Sequence, residues 1–481
     1  MHVVFARFLA PCCSAWLAGV ALAAGPAALA QPLPEGPQAL SFAQAQAVLQ
    51  AESMQLAADR KAVESAQLRR AGMQGLGGPS VAVTGMAYRY AIEAQLDTEP
   101  VRAALVNAAM QQPPEIAGAI AGLQLPSTYT LQRQDSQVSA SVSALWPVYM
   151  GGLSDAVRTG LDGRTLQAQA QAQMSQAQLH SLLVQRYFGA QLAQRAAWLR
   201  DRALQGMRAH DTAAQRMLEA GVIAQVERLQ ARAALAEAEQ QAQQARSEAQ
   251  LAAQALARTL YRSAGVQPVS PLFVASQALA PLHTFQEAAW RLHPGLQQVQ
   301  AKRTQAQALH DASEALRQPQ VLAFGLREVN TRGKPNWMAG MAVRWTLWDS
   351  VDRDKLAAAG ERAIEQADLS AEQVRNDLAL LVEKNWLAVE QARVAYLSRQ
   401  AQEDLARALL QLRTAGLQAG TSTALELMDA QLNLSKVQTE RAALAHQYVQ
   451  ALAALLESSG QSEAFGQYMA RADIYLPADA P

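Results

Sequence analysis

The sequence predicts a mainly α-helical fold with a small β part, built from two copies of one structural repeat. Residues 138–146 alternate between an apolar face and a face that carries serines, the period-two pattern of a β-strand. Long stretches rich in Ala and Gln follow, and this composition favours long, closely packed helices. The interval of 199 positions from Trp146 to Trp345 recurs from Gly221 to Gly420, which indicates an internal duplication.

Composition and the N-terminal residues limit the class of protein. Lys+Arg and Asp+Glu number 41 each, so charge gives no basis for binding nucleic acid. Residues 1–30 resemble a secretory signal peptide, with Arg7, an apolar stretch and a small-residue cleavage site before Gln31. Cys12 and Cys13, the only cysteines, lie within it, so we expect no disulfide in the processed chain. A soluble periplasmic protein is one open alternative.

The first structural repeat is expected at 31–264. It is predicted to contain one helix (42–73), two strands (80–90 and 138–147) and a long helical hairpin (153–262) that turns at Gly221. A long insert of irregular structure, 91–137, is predicted between the two strands, with one short helical piece.

The second structural repeat is expected at 284–458, after a Pro-rich connector at 265–283. Its predicted strands are 320–328 and 338–348, and its long helical hairpin is 351–458. The return helix of this hairpin has a coiled-coil heptad seam that Arg441 interrupts. A short tail, 459–481, completes the chain.

Four strands of membrane-spanning length would force the chain to assemble. An open sheet edge in lipid leaves backbone groups unpaired, at several kcal/mol each. Four strands cannot close, since barrels begin at about eight strands. Two copies would give eight strands with a filled interior, whereas three copies would give twelve strands and a lumen. We therefore expect a shared trimeric 12-strand β-barrel in the outer membrane, continued by an α-barrel of the long antiparallel helical hairpins.

The chain resembles the TolC-like outer-membrane efflux protein family over essentially all of its processed length. The resemblance rests on residues 147–152, PVYMGG, where a strand meets a helix, and on two hairpin-tip motifs, 219–223 with Glu227 and 419–423 with Asp429. The second junction, 347–350, lacks the glycine pair. The resemblance implies a passive exit duct of a tripartite efflux or type I secretion system, located in the outer membrane and extending into the periplasm. Its implied partners are two further copies, a periplasmic adaptor, an inner-membrane transporter and outer-membrane lipid.

The resemblance also implies a site at the hairpin tips. Glu426 and Asp429, one helical turn apart, would line the periplasmic aperture, with Glu227 as the counterpart in the first repeat. The alternative is that they are ordinary solvated side chains. Some relatives lock the aperture with a basic residue at the position of Ser422, so here Arg228 or Arg413 could serve. The tip residues that would dock partner proteins are Gly221, Gly420 and Thr421.

Trp146, Tyr149, Trp345 and Trp348 are predicted to form a membrane-interface girdle, to which Trp337 can be added; packing against the helices is the alternative. The sequence contains no catalytic constellation and no metal-ligand spacing. We therefore expect no enzyme, no cofactor and no metal site. The competing class is a non-conducting trimeric helical stalk or adhesin, with a periplasmic enzyme as a distant third. The cargo, whether drug, metal or protein, is left open.

Overall fold

The computed structural model describes residues 38–110, 128–263, 265–329, 336–348 and 350–476. The first half of the chain forms β1 (Gln38–Leu40), α1 (Phe42–Glu52), α2 (Met54–Gly72), β2 (Ser80–Asp97), α3 (Glu99–Ala109), β3 (Thr128–Tyr149), α4 (Leu153–Glu219) and α5 (Gln225–Thr259). The second half forms β4 (Val266–Pro268), β5 (Leu272–Val274), α6 (Leu282–Leu292), α7 (Pro294–Ala315), β6 (Gln320–Glu328), β7 (Trp337–Arg344), α8 (Arg353–Ser398), α9 (Gln400–Gln418), α10 (Ala424–Ser458), a 3-10 helix (Ser462–Ala464), α11 (Phe465–Arg471) and β8 (Ile474–Leu476). The predicted mainly helical fold is confirmed, while the predicted signal segment, 1–30, lies outside the described residues.

Four strands form one antiparallel sheet in the order β2-β3-β6-β7. Residues paired across strands point to the same side of a sheet, so the register defines two faces. We call them the apolar face and the serine face. The apolar face contains Val81, Val83, Val138, Ala140, Val142, Ala144, Trp146, Ala339, Met341 and Val343. The serine face contains Ser139, Ser141, Ser143, Leu145, Leu322, Phe324 and Leu326.

Two strands are much longer than the sequence predicted. The predicted irregular insert at 91–137 is wrong for most of its described part, because 91–97 continues β2 and 128–137 belongs to β3. Helix α3 is the short helical piece, and 111–127 lies outside the described residues. The prediction failed because the large apolar side chains of β2 change faces between Val83 and Met86. No single period-two pattern therefore runs along the whole strand.

The last strand is shorter than predicted. β7 ends at Arg344, so the predicted strand at 338–348 is wrong for its final four residues. The indole N–H of Trp345 donates to the carbonyl of Arg317 at 3.2 Å. Arg353 donates to the carbonyl of Leu316 at 3.1 Å. These bonds turn the chain towards the end of α7, and they use carbonyl groups that a helix C-terminus leaves unpaired.

The long helices form a layer whose order places the two repeats at opposite edges. On the side away from the sheet, α4 packs against α5 and α10, and α10 packs against α8 and α9. On the side near the sheet, α4 packs against α2 and α7, and α7 packs against α8. Helix α4 has 67 residues, which corresponds to about 100 Å at ~1.5 Å per residue. Among the described helices, none combines the length and the apolar character that a membrane span needs.

The main core lies around the middle of α4, where the connector and the tail pack on the helices. The Tyr187 hydroxyl donates to the carbonyl of Leu40 at 2.7 Å and accepts bonds from the amides of Val269 and Ser270 at 3.0 and 2.8 Å. β1 pairs with β4 and β5 pairs with β8. The described part of the tail, 459–476, is therefore more ordered than its loose pattern indicated, and Phe465 in α11 is fully buried.

Three of the helical stretches are interrupted. The helix predicted at 42–73 breaks at Ser53, whose hydroxyl caps α2 by accepting from the amide of Leu56 at 3.3 Å. The helix before β6 starts at Leu282, inside the predicted connector, and breaks at His293, because Pro294 cannot continue the preceding hydrogen-bond pattern. The outgoing helix of the second hairpin breaks at Arg399.

Candidate functional site

The two hairpin tips, the end of the molecule farthest from the sheet, have the same glycine geometry. Gly221 and Gly420 have φ angles of +73° and +71°, a conformation that costs other residues about 1–2 kcal/mol. A Cβ atom on either glycine would meet nothing within 4 Å, so the backbone conformation alone requires glycine. The amides of Val222 and Thr421 donate to the carbonyls of Met217 and Gly416, both at 2.8 Å. These bonds satisfy the ends of α4 and α9.

Both predicted acidic residues at the start of the return helices have a structural role. The amide of Thr423 donates to Glu426 Oε2 at 3.0 Å, and the amide of Glu426 donates to Thr423 Oγ1 at 3.2 Å, which is a capping box. In the first hairpin the amide of Ala224 donates to Glu227 Oε2 at 3.3 Å. The carboxylates of Glu227 and Glu426 therefore stabilise helix N-termini, a role that their position in the motif could have revealed.

Both arginines considered for locking the aperture pair within their own hairpin. Arg413 Nη1 lies 3.2 Å from Glu426 Oε2. Arg228 Nη1 lies 2.5 Å from Asp211 Oδ1, and both side chains are largely buried. The partner of Arg228 was not predicted, because Asp211 lies on the opposite helix and the sequence interval gives no signal. Ser422 donates its amide to the carbonyl of Gly416 at 3.1 Å.

Asp429 differs from the other two predicted aperture residues. It lies one turn after Glu426 on α10 and is exposed. Within the described part of the chain, Asp429 has no ion-pair partner. Thr421, the third predicted docking residue, uses its hydroxyl to donate to the carbonyl of Gly416 at 3.2 Å. The free carboxylate nearest the tip of α10 is thus Asp429, and the predicted roles in an aperture and in docking stay predictions.

The predicted girdle residues lie at the junction between the sheet and the long helices. Trp146 and Tyr149 end β3, and Trp345 and Trp348 follow β7. All four are about half exposed or more in the single chain, so they are not part of a core within one chain. Trp337 begins β7 at the opposite end of the sheet and is also exposed. The aromatic residues therefore flank the apolar face at two levels.

A buried polar cluster, which the sequence analysis missed, lies midway along the second hairpin beside the break at Arg399. Glu403 is 6% exposed and accepts from Arg407 and Arg441, both at 2.6 Å, and from Gln438 at 3.3 Å. The Arg441 guanidinium lies 4.6 Å from the centre of the Tyr396 ring. The interruption of the heptad seam at Arg441 was the available signal, because a buried arginine needs an acidic partner.

The environment of Glu403 determines its ionisation. Burial works to raise the pKa of Glu403, but hydrogen bonds from Arg441 and Gln438 and the charges of Arg441 and Arg407 outweigh it and hold the pKa below its usual value. Glu403 is therefore an anion within this cationic group. In the described ranges, no group of three or more His, Cys, Asp or Glu side chains is placed to hold a metal ion.

Comparisons with known proteins give a family match for the second repeat and a fold for most of the chain. Residues 275–461 match the family model described as outer membrane efflux protein, while no curated protein matches the sequence. The structure is similar to the Campylobacter jejuni CmeC outer membrane channel, with a TM-score of 0.69, 13% identity and coverage of 89% of this chain and 88% of that chain. It is similar to the Neisseria gonorrhoeae MtrE outer membrane channel in its open state, with a TM-score of 0.69, 14% identity and coverage of 88% and 89%.

A third similar structure is the outer membrane protein VceC of Vibrio cholerae, with a TM-score of 0.68, 12% identity and coverage of 87% of this chain and 96% of that chain. At these identities the likeness concerns the fold, which extends over both repeats. The family match covers the second repeat, including the tip with Gly420 and Glu426. The second repeat therefore matches the outer membrane efflux protein family model, and the chain as a whole shares its fold with these outer-membrane channel structures.

Proposed function

We propose that three copies of this chain form one passive conduit, the exit duct of a tripartite efflux or type I secretion system. Four strands from each copy would close a twelve-strand barrel in the outer membrane, and the long helices would continue it as a tunnel. The observation that carries this proposal is the order of elements. In the sheet and in both parts of the helical layer, an element of the first repeat forms one edge and an element of the second repeat forms the other.

The sheet supplies the first argument. Its edges are β2 and β7, and each unpaired backbone group on them would cost several kcal/mol in lipid. Pairing β2 of one copy with β7 of the next uses two different surfaces, so the contact is head-to-tail and a ring must close. Three copies give twelve strands, which leave a lumen, whereas eight strands leave an interior filled by side chains.

The long helices supply the second argument. Helices α8 and α9 carry a stripe of exposed aliphatic side chains at intervals of seven or eleven residues, formed by Leu380, Leu387, Val394, Leu405 and Leu412. Such intervals keep a stripe on one side of a helix over a long distance. The opposite edge, α5, exposes Val226, Leu229 and Leu251. Exposed apolar stripes on both edges of the layer favour packing between neighbouring copies.

The tips supply the proposed contacts with partners. We assign the docking of a periplasmic adaptor and an inner-membrane transporter to the surface around Gly221, Gly420 and Thr421, because among the described elements the hairpin tips lie farthest from the sheet. Val222 at the first tip is 71% exposed and offers an apolar anchor. Asp429 is the residue we expect to set ion preference at the aperture, with Glu426 and Glu227 contributing less because they cap helices.

The test combines mass and conductance. The purified protein in detergent should have the mass of three chains and should conduct ions in planar lipid bilayers. Leu387→Glu places a charge in the edge stripe and should abolish the trimer. Leu309→Glu is the control, because Leu309 is also exposed, at 74% against 45% for Leu387, but lies on α7, which is not an edge helix. A stable single-chain species that conducts would disprove the proposal, and a trimer without conductance would favour a structural stalk.

A further inference from the structure

The β2–β3 hairpin continues well beyond the other two strands of the sheet. The last pair between β3 and β6 is Ser141 with Glu328, whereas β2 and β3 stay paired as far as Asp97 with Thr128. We call residues 86–97 and 128–139 the hairpin extension. At about 3.3 Å per residue it is roughly 40 Å long, and it points away from the long helices. Beyond the four-stranded part of the sheet, only two strands of each chain, β2 and β3, continue.

The polarity of the hairpin inverts where the extension begins. In the four-stranded part, the large aliphatic side chains of β2, Val81 and Val83, lie on the apolar face. In the extension that same side carries Arg89, Glu93 and Gln95. The opposite side, which continues the serine face, carries the large apolar side chains Tyr88, Tyr90, Ile92, Leu96 and Leu131.

The inversion fits a boundary between lipid and water. Where the sheet is in lipid, its outward side must be apolar, and outside the lipid the outward side can be polar. The serine face points to the lumen in the proposed conduit, so the apolar side chains of the extension also point inward. Ile92, Leu96 and Leu131 are each more than half exposed in the single chain. An isolated two-stranded hairpin is marginal in water, so this apolar side needs a partner.

The number of strands indicates which partner covers it. Three chains supply twelve strands to the proposed barrel but only six to the level of the extensions. Since strands lie about 4.8 Å apart, six strands form a ring of about half the circumference. Extensions that converge on the axis would bring their inward sides together. Arg133 and Asp135 lie on the same inward side, and they can pair between copies as opposite charges.

We propose that the three hairpin extensions converge over the axis and pack through Tyr90, Ile92 and Leu131, which narrows the extracellular mouth of the conduit. The apolar side of each hairpin extension is thus covered by the apolar sides of the extensions of the other two copies. This inference rests on the trimeric conduit proposed above. It adds a second constriction, at the end of the molecule opposite the hairpin tips, that is held by apolar contacts instead of carboxylates.

The first test measures the size of the outer mouth. The double variant Ile92→Ser, Leu131→Ser should conduct at least twofold more than the parent. Polyethylene glycols added on the extracellular side should enter it at a larger polymer size. The control Gln95→Ser, Thr130→Ser changes a pair on the outward side and should match the parent. Equal conductance and equal polymer exclusion in a trimeric, conducting double variant would overturn the constriction and leave the conduit intact.

The second test cross-links the hairpin extensions through a disulfide and does not depend on disrupting the apolar contacts between them. Because Cys12 and Cys13 lie in the predicted signal segment, Ile92→Cys would be the only thiol of the processed chain. Mild oxidation should link two of every three chains in the intact trimer, whereas Gln95→Cys should remain unlinked. An Ile92→Cys trimer that conducts but forms no links contradicts the inference. A preparation with neither trimers nor conductance contradicts the proposed function and this inference with it.

Discussion

Arg413 and Glu426 form an ion pair across the tip of the second helical hairpin, with 3.2 Å between Nη1 and Oε2. The same Oε2 atom accepts from the amide of Thr423, so Glu426 is held at the N-terminus of α10. Asp429, one turn further, is exposed. Two carboxylates that look equivalent in the sequence therefore differ in charge compensation, and they should differ in their effect on ions.

We predict that Asp429→Asn lowers the preference for cations more than Glu426→Gln does. The loss of three uncompensated carboxylates should reduce the K⁺/Cl⁻ permeability ratio at least twofold, because acidic rings at a narrow aperture attract cations. The measurement is the reversal potential in a KCl gradient across a planar bilayer. Glu64→Gln, an exposed residue of α2 far from the tips, is the control. An unchanged reversal potential in Asp429→Asn would remove Asp429 from the aperture.

The glycine pair at the first strand-to-helix junction gives a second prediction. Gly151 and Gly152 both have positive φ angles, +65° and +91°. A Cβ atom on Gly151 would lie 2.5 Å from the carbonyl oxygen of Ala315, whereas one on Gly152 would meet nothing within 4 Å. Gly152→Ala should therefore cost about 1 kcal/mol of folding free energy. Gly151→Ala should cost about 3 kcal/mol, since a steric clash is added.

The midpoints of thermal unfolding of the two alanine variants, measured side by side, check this prediction. The pair controls itself, because the residues are adjacent and the substitution is the same. Equal shifts of the two midpoints would mean that the close approach of Gly151 to α7 contributes nothing to stability.

The buried Glu403 cluster gives a prediction about pH. Glu403→Gln leaves the largely buried Arg441 without its anionic partner, which should cost about 2–4 kcal/mol. Because the folded-state pKa of Glu403 is lowered, its contribution to stability is complete above the usual carboxyl pKa of about 4.3. That contribution is lost as the pH falls through the lower folded-state value. The unfolding midpoint of the parent should therefore drop more steeply below about pH 4 than that of the variant.

The control for this pH series is Glu440→Gln. Glu440 pairs with Arg399 at 3.1 Å, but both side chains are 41% exposed, so its removal should change stability little. Parallel pH curves for the parent and Glu403→Gln would show that the cluster does not depend on the charge of Glu403.

The sequence predicted those features of the fold that depend on residues close together in the chain. The period-two alternation located β3, and the glycines at the interval of 199 positions located both tips. The features that escaped prediction depend on distant contacts. The polarity inversion hid the length of β2, and the break at Arg399 has no proline or glycine to mark it. The ion pair of Asp211 with Arg228 depends on how two helices meet, which spacing does not encode.

The site was predicted less completely than the fold for the same reason. The sequence motif identified Glu227, Glu426 and Asp429 as one group, but only the structure separates two capping residues from one exposed carboxylate. Arg441 was recognised as an irregularity in the heptad seam. Its partner Glu403 lies on another helix, so the sequence could indicate that a partner was needed but not which residue it was.

Disulfide scanning between the two sheet edges tests the central claim most directly. Cysteine pairs would combine Val81 or Val83 on β2 with Ala339, Met341 or Val343 on β7, all on the apolar face, followed by oxidation in isolated outer membranes. The account predicts that at least one double-cysteine chain forms a ladder of one, two and three linked chains and stops there, while each single-cysteine chain stays unlinked. Links in the single-cysteine chains, or a complete absence of links in every pair, would contradict a head-to-tail ring closed through β2 and β7.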